Sequence, residues 1–204
     1  MASTTIETET ELSAVNSILG AIGQSPVTEV DTANPETSFI YNILRDTNVD
    51  VQNEGWHFNT EKHVKYSPDD NKNILIADNV LRFDVTDGWH NYTTNVVKRD
   101  GKLYDKLDHT NEFTGDIYID EVILYQFTDI PSVFQRYIII KASVRAATQL
   151  VNNAQLVQLL AAQEIQAKAA CLEYECNQGN HSYLGLPEDS IYQTFQPHLA
   201  LRRS

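Results

Sequence analysis

Three carboxylates between residues 116 and 121 are the side chains of this sequence best suited to chemistry. Asp116, Asp120 and Glu121 lie close together along the chain. Two neighbouring carboxyl groups are what glycoside hydrolysis needs, one as acid and one as base or nucleophile. The chain has 28 acidic residues, however, and acidic side chains normally lie on solvated surfaces. A glycan-degrading hydrolase that uses carboxylates of this region is therefore the alternative function.

Other patterns that hold metals, acyl groups or phosphates are missing from the sequence. It contains no H-E-x-x-H, G-x-S-x-G, G-x-G-x-x-G or Walker-type segment. His57 and His63 fall on different predicted elements, which does not suit a shared metal. Cys171 and Cys176 are five residues apart on a predicted helix, about 140° around its axis, so two free thiols are expected. We predict no catalytic residue, no metal site and no cofactor.

Aromatic residues near the middle of the chain offer a sugar-stacking platform as a second chemical reading. Trp56 and Phe58 follow a predicted helix, and we expect one to anchor a helix–sheet junction and the other to cap a core. Trp89 follows an Asp-Gly turn, where exposure and contact with a partner are expected.

Composition narrows the classes of function further. Hydrophobic residues make up 42% of the 204 positions, enough for a packed core, and the apolar runs are too short for a transmembrane helix. The acidic, polar start predicts no secretory leader. A net charge of −13 repels phosphates and argues against sequence-specific DNA reading. The same charge suits a wall past which DNA slides without sticking.

Two apolar stripes with helical spacing open the chain. Thr8 and Glu11 fit a capping box before the first stripe. Asn34 as N-cap and Pro35 at the first helical position begin the second, which we expect to run to Glu54.

Residues 63–127 change to alternating polar and apolar positions. Leu81 to Val85 alternates as a half-buried strand does, and Asp100-Gly101 is a strong hairpin signal. Residues 73–77 and 117–125 are further strand candidates. This region predicts a small antiparallel β module.

Helical patterns return after Pro131, with a predicted break at Asn152-Asn153 and a further helix over Ala154–Cys176. One narrow seam on that last helix is expected to pack: Leu156, Leu159, Leu160, Gln163, Ala167, Ala170 and Tyr174. The residues beyond it are too apolar for a solvated tail and are expected to dock on a partner. The candidates are Tyr183, Leu186, Ile191, Tyr192, Phe195 and Leu199, with the basic pair Arg202 and Arg203.

These patterns predict an α+β fold, a helical bundle with an inserted antiparallel β module and an extended C-terminal tail. The expected division is a flexible arm at 1–8, a helical domain at 9–62 and 128–180, a β module at 63–127 and a docking tail at 181–204.

Four segments together resemble the tail tubular protein A family, the head-to-tail adaptors or gatekeepers of short-tailed phages (podoviruses). The segments are Glu11–Asn16 with Ile18-Leu19, Ile22-Gly23 and Pro26-Val27; Gly55–Asn59; Asp129–Pro131 with Phe134, Arg136-Tyr137 and Lys141–Ser143; and Ala169–Tyr174. Their order and spacing, more than any single motif, carry the resemblance.

The resemblance implies a non-enzymatic connector at the head–tail junction of the virion, assembled in the host cytoplasm. Family members form a dodecameric ring between the portal protein and the tail nozzle, tail tubular protein B, and DNA is ejected through the ring. Residues 154–204 would then face the portal. Loops of the β module, with Trp89 and Tyr92, would face the nozzle or the tail fibres. The expected partners are further copies of this chain, the portal protein, the nozzle protein and the tail fibres. No contact with a membrane is expected.

Overall fold

Helices occupy both ends of the described chain, and strands occupy its middle. The computed structural model describes residues 10–31, 33–85, 95–151 and 153–178. In these residues the helices are α1 (Glu11–Ala21), α2 (Pro35–Gln52), α3 (Ser132–Leu150) and α4 (Ala154–Gln178). The strands are β1 (Thr60–Tyr66), β2 (Val80–Val85), β3 (Val96–Arg99), β4 (Lys102–Asp105) and β5 (Ile117–Ile123). The predicted α+β class is confirmed; the arm at 1–8 and the tail at 181–204 lie outside the described residues.

The start of α1 differs from the predicted capping box. Thr10, in an extended conformation, is the N-cap, and its hydroxyl oxygen accepts a hydrogen bond from the Ser13 amide at 3.2 Å. A cap must lie directly before the first helical residue so that its side chain reaches the amides of the first turn. The choice of Thr8 was therefore wrong by two positions.

The predicted starts of α2 and α4 are confirmed by side-chain caps, whereas α3 begins after Pro131 without one. The side-chain oxygen of Asn34 accepts from the Glu36 amide at 3.0 Å, and that of Asn153 accepts from the Gln155 amide at 3.1 Å. Helix α2 ends at Gln52, two residues before the predicted end. Gly55 turns the chain with φ at +78°, a left-handed conformation that favours glycine over any residue with a Cβ.

Helix α3 is the centre of the helical part, packed on α4 at one side and on α1 and α2 at the other. Phe134, Tyr137 and Ile138 of α3 are almost completely buried. The rings of Trp56 and Phe58 lie 4.9 and 4.7 Å from the Phe134 ring, centroid to centroid. The expectation that these two aromatic residues join the core and the helix–sheet junction is confirmed.

The β module contains a three-stranded antiparallel sheet of order β1-β5-β2 and a β3-β4 hairpin. Asp100 and Gly101 have φ of +51° and +74°, as a two-residue hairpin turn requires. Residues 73–77 are not a strand. Leu75 forms one isolated bridge with Lys102, while its neighbours Ile74 and Ile76 are buried in the core of the module.

A buried polar junction joins the helical part to the β module. The Gln52 side chain, with no exposed surface, accepts a hydrogen bond from the Tyr125 amide at 2.8 Å and donates one to the Tyr125 carbonyl at 2.9 Å. The Asn59 amide group donates to the carbonyls of Gln52 and Ile123 at 2.9 and 3.1 Å. The Trp56 indole N–H donates to the Val51 carbonyl at 2.7 Å. The end of α2 is thus tied to the exit of β5 by fixed hydrogen bonds.

Replacing Gln52 with leucine tests this junction. The substitution removes the hydrogen-bond partner of the partly buried Tyr125 amide and a donor to its carbonyl, so we expect Q52L to lower the free energy of unfolding by roughly 1–3 kcal/mol. Urea denaturation measures the loss. The exposed Gln149→Leu on α3 is the matched control, with an expected change below about 0.5 kcal/mol; equal effects in both variants would contradict this role for Gln52.

Candidate functional site

The three candidate catalytic carboxylates do not converge. Asp120 and Glu121 are successive residues of β5, so their side chains leave opposite faces of the sheet. Asp116 lies before β5, and one of its oxygens is 2.7 Å from the Lys65 ammonium while the other accepts from the Ser67 hydroxyl. These two contacts lower the pKa of the Asp116 carboxyl. A glycosidase needs two carboxyl groups flanking one bond, which this arrangement does not provide.

Each of the other two carboxylates has a local structural contact. Glu121 is buried and accepts a hydrogen bond from the Tyr66 hydroxyl at 2.6 Å. Burial and this bond raise the pKa of Tyr66. Asp120 accepts from the His63 amide at 2.8 Å and supports the bulge of β1.

His57 and His63 lie on different elements, and the two cysteines are free thiols. His57 lies in a short 3₁₀ turn and its amide donates to the Glu175 carboxylate at 2.8 Å, while His63 lies on β1. Within the described ranges no group of three potential metal ligands comes together. Cys171 is a buried free thiol and Cys176 an exposed one. The predicted docking residues Tyr183 to Arg203 and the predicted nozzle-facing Trp89 and Tyr92 lie outside the described residues.

The surface of α4 that faces away from α3 is apolar and exposed. Its residues follow one another at spacings of four, three, four, three and four, the repeat of a helix-pairing seam. This outward stripe consists of Gln158, Ala162, Ile165, Ala169, Leu172 and Cys176, all exposed. Ile165 is 72% exposed and Leu172 49%, and the stripe carries no Asp, Glu, Lys or Arg. In the described residues no helix is long and apolar enough to cross a membrane. Exposed, uncharged surface of this kind is typical of contact sites.

The predicted packing seam of α4 was only partly right. Leu160 is buried, and Leu156, Ala167 and Tyr174 pack against the helical core. Leu159 is 66% exposed, and Gln163 and Ala170 are exposed as well. The predicted seam lies to one side of the face that is buried in the structure. The faces of an Ala-rich helix differ little in hydrophobicity, so the buried face is hard to predict from the sequence. The four-three spacing of the outward stripe was visible in the sequence and was the signal that was missed.

A groove runs along α3 between α1 and α4. Two adjoining depressions of about 430 and 610 Å³ share Val133, Arg136, Ile140 and Gln163. Ser17 of α1 contributes to one side and Ala170 of α4 to the other. We call this the α3 groove. Within the described part of the chain, no carboxylate lies within ion-pair distance of the Arg136 guanidinium.

Ion pairs fix α4 to the junction rather than to the groove. Glu54, just after α2, lies 3.3 Å from the Lys168 ammonium and 3.6 Å from that of Lys141. The Glu175 carboxylate of α4 accepts a hydrogen bond from the backbone amide of His57, which follows the same junction. These contacts orient α4 so that both the outward stripe and the α3 groove stay open.

Within the described residues, the exposed stripe and the groove lie on the helical part, and the three candidate carboxylates lie apart on the β module. Comparison with known proteins gives the class of the protein: the chain belongs to the tail tubular protein family, whose model (Tube, tail tubular protein) matches residues 12–181. It is therefore a structural component of a phage tail.

A curated relative gives the family resemblance more detail. The chain is 30% identical over 122 residues to the tail tubular protein A of Klebsiella phage KP34. The match covers 59% of this chain and 62% of that protein's length. The resemblance drawn from the four sequence segments is thereby confirmed at the level of the tail tubular family.

Thiol labelling tests the orientation of α4. Burial raises the pKa of Cys171 to about 12, and only the thiolate reacts quickly with alkylating reagents. At pH 8, in dilute native protein, we expect one thiol per chain to react fast and the second only after unfolding. Cys176→Ser should abolish the fast phase; two equally fast thiols would contradict the observed face of α4.

Proposed function

We propose that this tail tubular protein is a head-to-tail connector subunit. Copies of the chain form a ring between the portal and the tail nozzle, and the ring continues the channel through which the genome leaves. Family membership over residues 12–181 is the observation that carries the proposal. The uncharged, exposed stripe on α4 supports it, because a surface of this kind is buried in an assembly.

The charge of the chain suits this role. A net charge of −13 disfavours tight contact with the DNA phosphates, so DNA passes the wall of the channel without sequence-specific binding. By resemblance the ring is a dodecamer, formed by lateral helix and sheet contacts, and it is assembled in the host cytoplasm.

Separate parts of the chain would meet separate partners. We assign the helical domain, 9–62 and 128–180, to the ring and residues 154–204, with the docking tail at 181–204, to the side that faces the portal. The β module at 63–127, through Trp89 and Tyr92, would meet the nozzle or the tail fibres, and the arm at 1–8 has no assigned contact. The KP34 relative supports the tail class only, and these contacts rest on the resemblance.

Electron microscopy of purified particles tests the location. Particles carrying a tagged copy of the chain should display the tag in a ring at the junction between portal and nozzle, because a connector is retained in the mature tail. Particles in which the tag is absent, or lies elsewhere in the tail, would refute the connector role. A tag on the portal protein is the positional control.

A glycan assay tests the non-enzymatic part of the proposal. We expect no turnover of capsular or cell-wall glycans by the purified chain, because its candidate carboxylates do not converge. Turnover that is lost in Asp116→Asn, Asp120→Asn or Glu121→Gln would establish the alternative hydrolase instead.

Substitutions in the docking tail test the portal contact. We expect the pair Tyr192→Ala and Phe195→Ala to weaken binding to purified portal by more than about tenfold, because buried aromatic side chains carry much of the energy of an interface. Surface plasmon resonance gives the ratio. The variant Leu75→Ala, an exposed apolar residue of the β module, is the control; equal loss in both proteins would show a general defect and not a docking role.

A further inference from the structure

The outward stripe of α4 has the chemistry of a helix that seats against another helix. Alanine or cysteine (Ala162, Ala169, Cys176) alternates with the larger Ile165 and Leu172 along it. Small side chains let two helix axes approach closely, and the larger ones then fill the holes of the facing surface. Glu173, exposed beside Leu172, is a carboxylate at the border of the stripe.

The α3 groove has the shape and chemistry to receive such a helix. It lies between two helices over a third, and it is open along its length in the described part of the chain. Its floor carries Val133, Ile139 and Ile140, and the α4 side carries the small Ala167 and Ala170. Its one cation, Arg136, has no carboxylate within reach in the described residues, in a chain that is otherwise strongly acidic. An apolar helix with an acidic residue at its border fits this groove in both shape and charge.

The stripe and the groove cannot meet within one copy. Ile165 of the stripe and Ala170 of the groove lie five residues apart on α4, about 140° around the helix. The stripe faces away from α3, whereas the groove has α3 as its floor. Two different patches on one chain that match each other make a head-to-tail contact, and such a contact builds a ring when the rotation from copy to copy closes.

We propose that α4 of one copy seats its outward stripe in the α3 groove of the next copy, with Glu173 meeting the partner copy's groove at Arg136. This interface deepens the proposed function and rests on it, because the ring needs a repeating lateral contact. It also accounts for the alanine-rich composition of α4, since bulkier residues would hold the neighbouring helix away from the floor.

Complementation between two single variants tests the interface in the full-length chain. Ile165→Glu alters the stripe and leaves the groove intact, whereas Arg136→Glu alters the groove and leaves the stripe intact. Each variant alone should associate at least roughly 100-fold more weakly than the wild type, because a carboxylate would be buried without a partner or against a like charge. Mixed in equal amounts, they should form one-to-one heterodimers, since a single intact stripe meets a single intact groove. Light scattering and native mass spectrometry give the masses.

The controls separate this interface from other modes of association. Leu75→Glu changes an equally exposed apolar residue on the β module and should assemble as the wild type does. Association of Arg136→Glu by itself, without a partner variant, would mean that α4 pairs with α4 and would overturn the proposal. Wild-type association that neither variant weakens would overturn it while leaving the connector function intact. A wild-type chain that stays monomeric at its highest soluble concentration would also overturn it, and particle microscopy would then judge the connector role separately.

Charge exchange gives a second, independent readout. Glu173→Arg combined with Arg136→Glu in one chain reverses both charges, and association should recover at least roughly tenfold over Arg136→Glu alone. Circular dichroism confirms that each variant stays folded. No recovery, with the fold intact, would rule out the contact between residues 173 and 136.

Discussion

The double hydrogen bond between the Gln52 side chain and the peptide groups of Tyr125 is the constraint on which the rest of the molecule depends. It connects the last turn of α2 with the segment that leaves β5. Because Gln52 is fully buried and Tyr125 is partly buried, these two hydrogen bonds are largely shielded from exchange with water. The position of the β module relative to the helices is therefore set at one point, and Trp56 and Asn59 reinforce it from the adjoining turn.

Helix α3 transmits that constraint to the assembly surfaces. Phe134 touches the aromatic rings that follow α2 and, at 5.8 Å, the ring of Tyr174 on α4. The packing on α3 therefore sets the positions of both the outward stripe and the α3 groove. In the proposed ring, this arrangement would limit the angular error at each contact between copies, which would otherwise accumulate and prevent closure.

Local sequence signals predicted the caps and turns well. Contacts between residues far apart in the chain were not predicted from the sequence. Asn34-Pro35 and Asp100-Gly101 each determine a cap or a turn through their own backbone preferences, and both predictions held. The face of α4 was harder, since a helix rich in Ala and Gln has little contrast between its sides and α3 decides which side is buried. The link from Gln52 to Tyr125 joins residues 73 positions apart, and no pattern in the sequence points to it.

The outer edge of β1 has a consequence for how copies meet through the β module. A bulge between Glu61 and Val64 and the left-handed backbone of His63, with φ at +59°, break the row of free peptide groups along this edge. The charged Lys62 and Lys65 are exposed beside it. Strand-by-strand extension from copy to copy, the usual start of fibrous aggregates, is thereby discouraged. At this edge, contacts between copies are left to side chains and loops, so a crowded pool of unassembled subunits is protected from growing in the wrong direction.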